Sequence, residues 1–100
     1  MRTINYKVTQ QLIQTEERLD DIYKGTQNYL NLKFEFDDNW DDCVKAIVFE
    51  IKGKEHPMLL KNDQIEVPQE ACSSDFIWFY LVGKKKGYRV QTKKAYIKLR

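Results

Sequence analysis

The sequence predicts an all-β domain of about seven to nine short strands, which indicate a sandwich or a barrel; an antiparallel β-sandwich of the immunoglobulin-like type is preferred. Three observations support this fold class. The stretch 29–36 alternates between apolar and polar residues and ends at an acidic turn that contains Trp40. The stretch 76–82 is the most apolar of the chain and is rich in β-branched and aromatic residues. Turn-forming residues recur at roughly 8- to 12-residue spacing.

Length and composition favour a single domain. One hundred residues suffice for one domain but not for two, so we expect residues 1–100 to form one β-sandwich. Apolar residues make up 42% of the chain and aromatic residues 13%, enough for a core without metal or disulfide. No apolar run approaches the roughly 20 residues of a membrane span, and residues 1–6 lack a signal-peptide pattern. We therefore expect cytoplasmic synthesis and no membrane insertion.

The first half of the chain contains two clear strands. Residues 3–9 alternate and predict the first, whereas residues 10–24 suit a short helix or two short strands, of which the strands are preferred. Residues 25–28 form a turn into the strand 29–36, whose clean alternation is typical of a half-buried antiparallel strand. Its apolar face carries Leu30, Leu32, Phe34 and Phe36.

The second half predicts strands at 44–52, 56–60, 65–67, 76–82, 88–92 and 95–99. The strand 44–52 has apolar residues on both sides, so both sides should be partly covered. Pro68 ends the third of these strands because proline cannot donate to a ladder, and 69–74 is a loop or one helical turn. The strand 76–82 should be central. The segment 83–87 is a hairpin tip with glycine at both ends, where we expect positive φ.

Charge is distributed unevenly along the chain. Residues 1–80 carry 9 Lys or Arg and 15 Asp or Glu, a balance of −6, whereas residues 81–100 carry 8 basic residues and no acid, a balance of +8. Such asymmetry can steer a charged partner or join the acidic face of one copy to the basic face of another. Lysine-rich hairpins also protect edge strands from aggregation. The candidate interaction surface comprises Lys84, Lys85, Lys86, Tyr88, Arg89, Lys93 and Lys94.

Nucleic acid is a weaker interpretation of the same basic segment. Its cations could neutralise phosphates, and its tyrosine rings could stack on bases. The isoelectric point near 8.5, however, is below that of strongly basic nucleic-acid-binding domains. We therefore do not expect nucleic acid as the partner.

The acidic turn matches a calcium loop only in part. Asp37, Asn39 and Asp41 occupy the first three ligand positions of such a loop. The sixth position is Asp42 instead of glycine, and the twelfth is Val48 instead of glutamate. The residues are better explained as a turn in which side chains cap local backbone amides. No calcium site is therefore expected.

Catalytic and zinc-binding patterns are also missing. His56 is the only imidazole, and Cys72, Ser73 and Ser74 are remote candidates for a nucleophile that nothing in the sequence ties to it. With one histidine, Cys43 and Cys72 cannot complete a four-ligand zinc site. Both cysteines are expected to be reduced, small and buried. We expect no enzyme, no metal and no cofactor.

Trp40 has two interpretations. Flanked by carboxylates, its indole could form a sugar-binding platform together with Tyr29. More often such a residue folds back over the end of a sandwich core, because burial of its large apolar area stabilises the fold. The core plug is the preferred interpretation.

The order of these segments resembles that of small β-sandwich domains in tail and baseplate proteins of phages that infect Gram-positive bacteria. Residues 28–41 resemble the "nYl.f.F.fd..W.g" segment of that family. The strand 45–49, the "VP" strand end at 65–68 and the closing hairpin formed by 76–83 and 87–92 follow in the same order. The resemblance covers roughly residues 3–99, and its motifs are structural.

Two features depart from that pattern. The first is the run Asp41, Asp42 and Cys43, at positions where the family has glycine or another small residue. The second is length, because the family domain commonly begins a longer fibre or upper-baseplate protein, whereas the sequence here ends at Arg100. The resemblance implies a non-enzymatic virion module that docks to other tail proteins, usually in several copies, so homo-oligomers are expected as well. The alternative is a free-standing phage-encoded protein that binds a host protein through its basic C-terminal hairpin.

Overall fold

The computed structural model describes residues 1–100 and contains nine strands and two short 3₁₀ turns, at Asp38–Trp40 and Gln69–Ser73. The all-β prediction and the number of strands are confirmed. The strands are β1 (Arg2–Thr9), β2 (Leu12–Gln14), β3 (Leu30–Phe36), β4 (Val44–Ile51), β5 (Lys54–Leu59), β6 (Gln64–Glu66), β7 (Phe76–Lys85), β8 (Tyr88–Gln91) and β9 (Ala95–Lys98).

The strands form two sheets. The four-stranded sheet has the order β2-β1-β3-β6, and the five-stranded sheet has the order β5-β4-β7, with β8 and β9 both on the far edge of β7. There β8 pairs with residues 82–85 of β7, and β9 pairs with residues 76–79. Between them, Thr92 Oγ1 accepts a hydrogen bond of 2.9 Å from the Leu81 amide. The prediction that β7 is central is confirmed.

The strands β1 and β3 pair in parallel, with Arg2 opposite Leu30 and Val8 opposite Phe36. The prediction of a purely antiparallel sandwich is therefore wrong at this pair. The β1–β2 hairpin reverses the chain, and residues 15–29 then return it to the starting end of β1, so β3 runs in the direction of β1. The alternation in β3 arises because its sheet is covered on one side only.

The path of residues 15–29 also differs from the prediction. Only β2 forms within 10–24, and the expected second strand is absent. Ile22 is nevertheless buried in the core, and its carbonyl accepts a bond of 2.9 Å from the Arg100 amide. Lys24 in turn donates to the Arg100 carbonyl at 3.0 Å. The last residues of the chain thus hold this segment in place.

The core lies between the two sheets. The strands β1, β3 and β7 contribute alternate buried residues, as the sequence pattern predicts, and Trp40 is fully buried at one end. The inward-facing residues of the four-stranded sheet include Ile4, Tyr6, Val8, Leu30, Leu32 and Phe34. Those of the five-stranded sheet include Ile47, Phe49, Ile51, Ile77, Phe79, Leu81 and Ile97.

The closing hairpin is tighter than the sequence indicates. The strand β7 runs through Gly83 to Lys85, so that the turn consists of Lys86 and Gly87. Gly87 has a φ of 70°, as predicted, whereas Gly83 lies in regular strand. A Cβ atom at Gly83 would lie 2.7 Å from Cε3 of Trp40. This glycine is needed for close packing against the indole, and the expectation of positive φ there is wrong.

The β4–β5 hairpin also has a two-residue turn. Lys52 and Gly53 have φ values of 51° and 75°, and β5 therefore starts at Lys54, two residues before the predicted start. A two-residue turn with positive φ at both positions matches the right-handed twist of the flanking strands. For residues 69–74 the sequence predicts a loop or one helical turn, and the structure has a 3₁₀ turn at Gln69–Ser73.

Candidate interaction surface

The five-stranded sheet exposes apolar side chains on the side that faces away from the core. The inward residues of β7 alternate with outward ones, and the register places Trp78 opposite Glu50 of β4 and Tyr96 of β9. Leu59 of β5 continues the same face beside Ala46. We call this surface the apolar outer face; its apolar members are Val44, Ala46, Val48, Pro57, Leu59, Phe76, Trp78, Tyr80, Val82 and Tyr96.

Three aromatic rings form the centre of this exposure. The Trp78 ring centroid lies 5.0 Å from that of Tyr96 and 6.0 Å from that of Phe76, and the Phe76 and Tyr96 centroids are 5.6 Å apart. Phe76 and Trp78 are each 37% exposed, and Tyr96 is 55% exposed. The rings thus support one another but leave a large apolar surface in water.

Charged groups flank these rings in an ordered way. The carboxylates of Glu50 and Glu55 lie on the β4–β5 side at the level of Trp78, whereas Lys94 and Lys98 lie on the β9 side. Lys94 forms an ion pair with Glu50, and the Tyr80 hydroxyl donates to Glu55. This hydrogen bond raises the pKa of Tyr80 above its usual value.

Two of the predicted interaction residues face the acidic turn, residues 37–42. The ammonium of Lys85 donates to the Asp41 carbonyl at 3.0 Å and lies 4.8 Å from the centroid of the Tyr88 ring. The Tyr88 hydroxyl donates to the Asn39 carbonyl at 2.6 Å. The basic hairpin and the acidic turn, far apart in sequence, therefore form one contact.

The other predicted residues lie at three separate places. Lys84 and Arg89 are opposite each other on the outer face at the hairpin end, next to Lys86 in the turn. Lys94 reaches across the outer face to its ion pair with a β4 carboxylate. Lys93 lies beside the β1–β2 turn, where its amide donates to a backbone carbonyl. The fold thus gathers Lys84, Lys86 and Arg89 and turns the remaining basic residues elsewhere.

The acidic turn is held by Asp37. Its Oδ2 accepts from the Gln10 amide at 2.6 Å and its Oδ1 accepts from the Asn39 amide at 3.0 Å. These bonds, chiefly that from Gln10, hold the pKa of Asp37 below its usual range. The interpretation as a capped turn is confirmed for this residue. No group of three or more His, Cys, Asp or Glu side chains is arranged to hold a metal ion.

Trp40 is a core plug, as predicted. Its side chain has 0% exposure, and its Nε1 donates to the Gln10 carbonyl at 2.8 Å. The ring lies 5.0 Å, centroid to centroid, from that of Phe36. A fully buried indole has no free face, so Trp40 does not provide a sugar-binding platform with Tyr29.

The other reactive side chains occupy different elements. His56 is exposed on β5, and no hydrogen bond joins it to Cys72, Ser73 or Ser74. The Ser73 hydroxyl donates to a carbonyl of its own 3₁₀ turn at 2.9 Å. Both cysteines are free thiols; Cys72 is buried, which raises its pKa, whereas Cys43 is only partly buried.

Sequence reasoning missed the apolar outer face, although its signal was present. Phe76, Trp78 and Tyr80 alternate with inward residues inside an unbroken apolar run. In a two-layer domain of this length, one side of every strand faces outward. A strand that is apolar on both sides must therefore expose one of them, even when it is central in its sheet.

Comparisons with known proteins identify no relative. No protein-family model, curated protein or solved structure matches the chain. Among the elements of the fold there is no helix long and apolar enough to cross a bilayer.

Proposed function

We propose that this chain is a non-enzymatic structural module of a phage tail or baseplate that assembles with other tail proteins. The observation that supports a role in assembly is the exposed apolar outer face. Trp, Tyr and Phe are enriched in protein–protein interfaces, and the few residues that dominate binding energy are often Trp and Tyr. Phe76, Trp78 and Tyr96 have this composition and are already ordered by mutual contact.

The size of the face supports the same function. Strand spacing of about 4.8 Å and a rise of about 3.3 Å per residue give the whole sheet face a footprint on the order of 400 Å², which includes Glu50, Glu55 and the largely buried Val48. The largest apolar patch on a typical soluble monomer is roughly 300–600 Å² and is often functional. A surface of this kind fits a module whose work is assembly.

The assignment to phage tails rests on the resemblance of the sequence segments. Residues 28–41 and the closing hairpin follow the order of landmarks in the phage domains, and the immunoglobulin-like classification belongs to the same proposal. Trp40, the tryptophan of that segment, is fully buried, as a core residue of such a domain would be. The proposed location is the virion.

The test is whether the chain is part of phage particles. Particles released by the bacterium whose genome encodes the chain are banded on a density gradient and probed with an antibody against it. We expect the chain in the tail-containing band, and we expect Trp78→Ser to remove it. Tyr23→Ser is the matched control, because Tyr23 is an aromatic residue 63% exposed outside the outer face. Particles without the chain would contradict the assignment to tails.

A second candidate is a free-standing binder of a host protein. The observation that favours it is the group Lys84, Lys86 and Arg89, which is exposed at the hairpin end and makes no ion pair within the chain. Replacing all three by glutamate should abolish capture of an acidic host protein. Lys85 is left unchanged because it holds the acidic turn. Unaltered capture by the triple variant would rule out this mode of binding.

A further inference from the structure

We infer that the apolar outer face packs against the same face of a second copy of this chain and forms a two-fold symmetric dimer. This inference rests on the proposed function in one respect, since it takes the outer face as the assembly surface. What it adds is the identity of the occupant and the symmetry of the contact.

The arrangement of charge points to a second copy. Glu55 lies on β5 at one edge of the face and Lys98 lies on β9 at the other, and neither forms an ion pair within the chain, whereas Glu50 and Lys94 pair with each other. Consider a two-fold axis that lies in the interface, runs parallel to the strands and passes between β4 and β7. This axis places β5 of one copy over β9 of the other. Glu55 of each copy then comes near Lys98 of the other.

The alternative symmetry is unfavourable. An axis perpendicular to the strands would exchange the ends of the sheet and keep each edge over itself. Glu55 of one copy would then face β5 of the other instead of β9, so its attraction to Lys98 would be lost. The charges therefore select one of the two face-to-face arrangements.

The predicted geometry is ordinary for packed sheets. Two sheets in contact lie about 10 Å apart with strands inclined by about 30°, an angle that a two-fold axis along the mean strand direction permits. Trp78 lies on β7, next to the axis, so each indole packs near its symmetry mate, as in isologous interfaces. Sheet twist separates the corners of the two faces, which leaves Lys84 and Arg89 in water.

The size of the interface predicts a moderate affinity. The face is about half of the roughly 800 Å² per partner that stable complexes bury. We therefore expect a monomer–dimer equilibrium that depends on concentration. In this dimer both basic hairpins lie at the same end, because the axis preserves strand direction, and they stay free for another tail protein.

The first experiment measures the association of the purified chain by sedimentation over micromolar to millimolar concentrations. We expect a reversible dimer, and Trp78→Ser should weaken it at least about tenfold, since truncation of a central aromatic residue commonly costs that much or more. Tyr23→Ser should dimerise like the wild type. Thermal unfolding confirms that each variant is folded. A wild-type chain that stays monomeric, or that forms a trimer or open polymer, would overturn the inference.

The second experiment tests the symmetry by exchange of charge. Glu55→Lys and Lys98→Glu should each weaken the dimer several-fold, and the double variant should regain most of the loss. Tyr80→Phe controls for the hydrogen bond that Glu55→Lys removes. Additive losses without rescue would contradict the proposed axis. A monomeric chain that still enters phage particles would refute the dimer alone, whereas a dimer absent from particles would refute only the tail assignment.

Discussion

The outer faces of the two sheets differ in composition although their inner faces are alike. The four-stranded sheet presents polar residues to solvent, and Asn31 donates to Gln64 across two of its strands at 3.0 Å. Its outward residues include Thr3, Asn5, Lys7, Asn31, Lys33, Glu35, Gln64 and Glu66. The five-stranded sheet presents the apolar outer face. Folding needs only the inner faces, so the difference supports our proposal that a protein surface covers the outer face of the five-stranded sheet, while water covers that of the four-stranded sheet.

The largest difference in stability is expected between substitutions on the two sides of a single strand, β7. Phe79→Ala removes a ring with 0% exposure and should cost about 3–5 kcal/mol of the free energy of unfolding. Trp78→Ala removes a larger ring from the outer side and should cost the isolated monomer clearly less. Urea denaturation at low protein concentration measures both. Equal losses would show that Trp78 belongs to the core and would break the comparison.

A smaller loss is expected where the core side of β7 is tightest. Gly83→Ala would place a Cβ atom 2.7 Å from Cε3 of the Trp40 ring. Overpacking of this kind lowers the free energy of unfolding by about 1–3 kcal/mol. The control is Gly53→Asn, since Gly53 has positive φ but open space around it, and asparagine tolerates that conformation. If both variants have wild-type thermal stability, the Trp40 ring does not pack closely against Gly83.

The four-stranded sheet provides a change that should not destabilise. The Tyr6 hydroxyl is buried without a hydrogen-bond partner, and burial raises its pKa. Tyr6→Phe removes that unpaired group and should leave stability unchanged or raise it by about 1 kcal/mol. Tyr80→Phe is the contrast, because it deletes a hydroxyl that does donate a bond. A marked loss in Tyr6→Phe, seen in urea denaturation, would mean that the hydroxyl has a partner.

The smallest effect concerns pH at the junction of the two sheets. The pKa of Asp37 is lowered by folding, so its ionised form stabilises the fold above its unfolded pKa of about 3.9. That contribution disappears as the pH falls through the lower folded value. Wild-type melting temperature should therefore drop more than that of Asp37→Asn between about pH 4 and pH 2. An equal drop in the two proteins over this range would show that the Asp37 carboxylate does not stabilise the turn.

The pattern of apolar and polar residues along the sequence predicted most of the strands. Features that depend on the path of the chain in space could not be predicted from it. The alternation at Leu30, Leu32 and Phe34, the central β7 and the plug at Trp40 follow from side-chain polarity and size, which a sequence displays directly. The parallel pairing of β1 with β3 depends on where residues 15–29 run, and no local pattern encodes that path. The need for glycine at position 83 depends on a ring more than 40 positions away. The basic residues predicted to form one interaction surface lie at separate places, because side chains of a strand alternate between its two sides. Lys84 and Lys85 therefore point to opposite sides of the sheet.

The hydrogen bonds between residues 22–24 and Arg100 have a consequence for the time course of folding. At a synthesis rate of roughly 5–20 residues per second, Ile22 emerges several seconds before the segment that covers it. Folds with such distant pairings also form slowly, because a long loop must close before any contact stabilises it. The nascent chain therefore leaves the Ile22 side chain uncovered until residues 95–100 arrive, and exposed apolar groups of this kind make partly folded chains prone to aggregation.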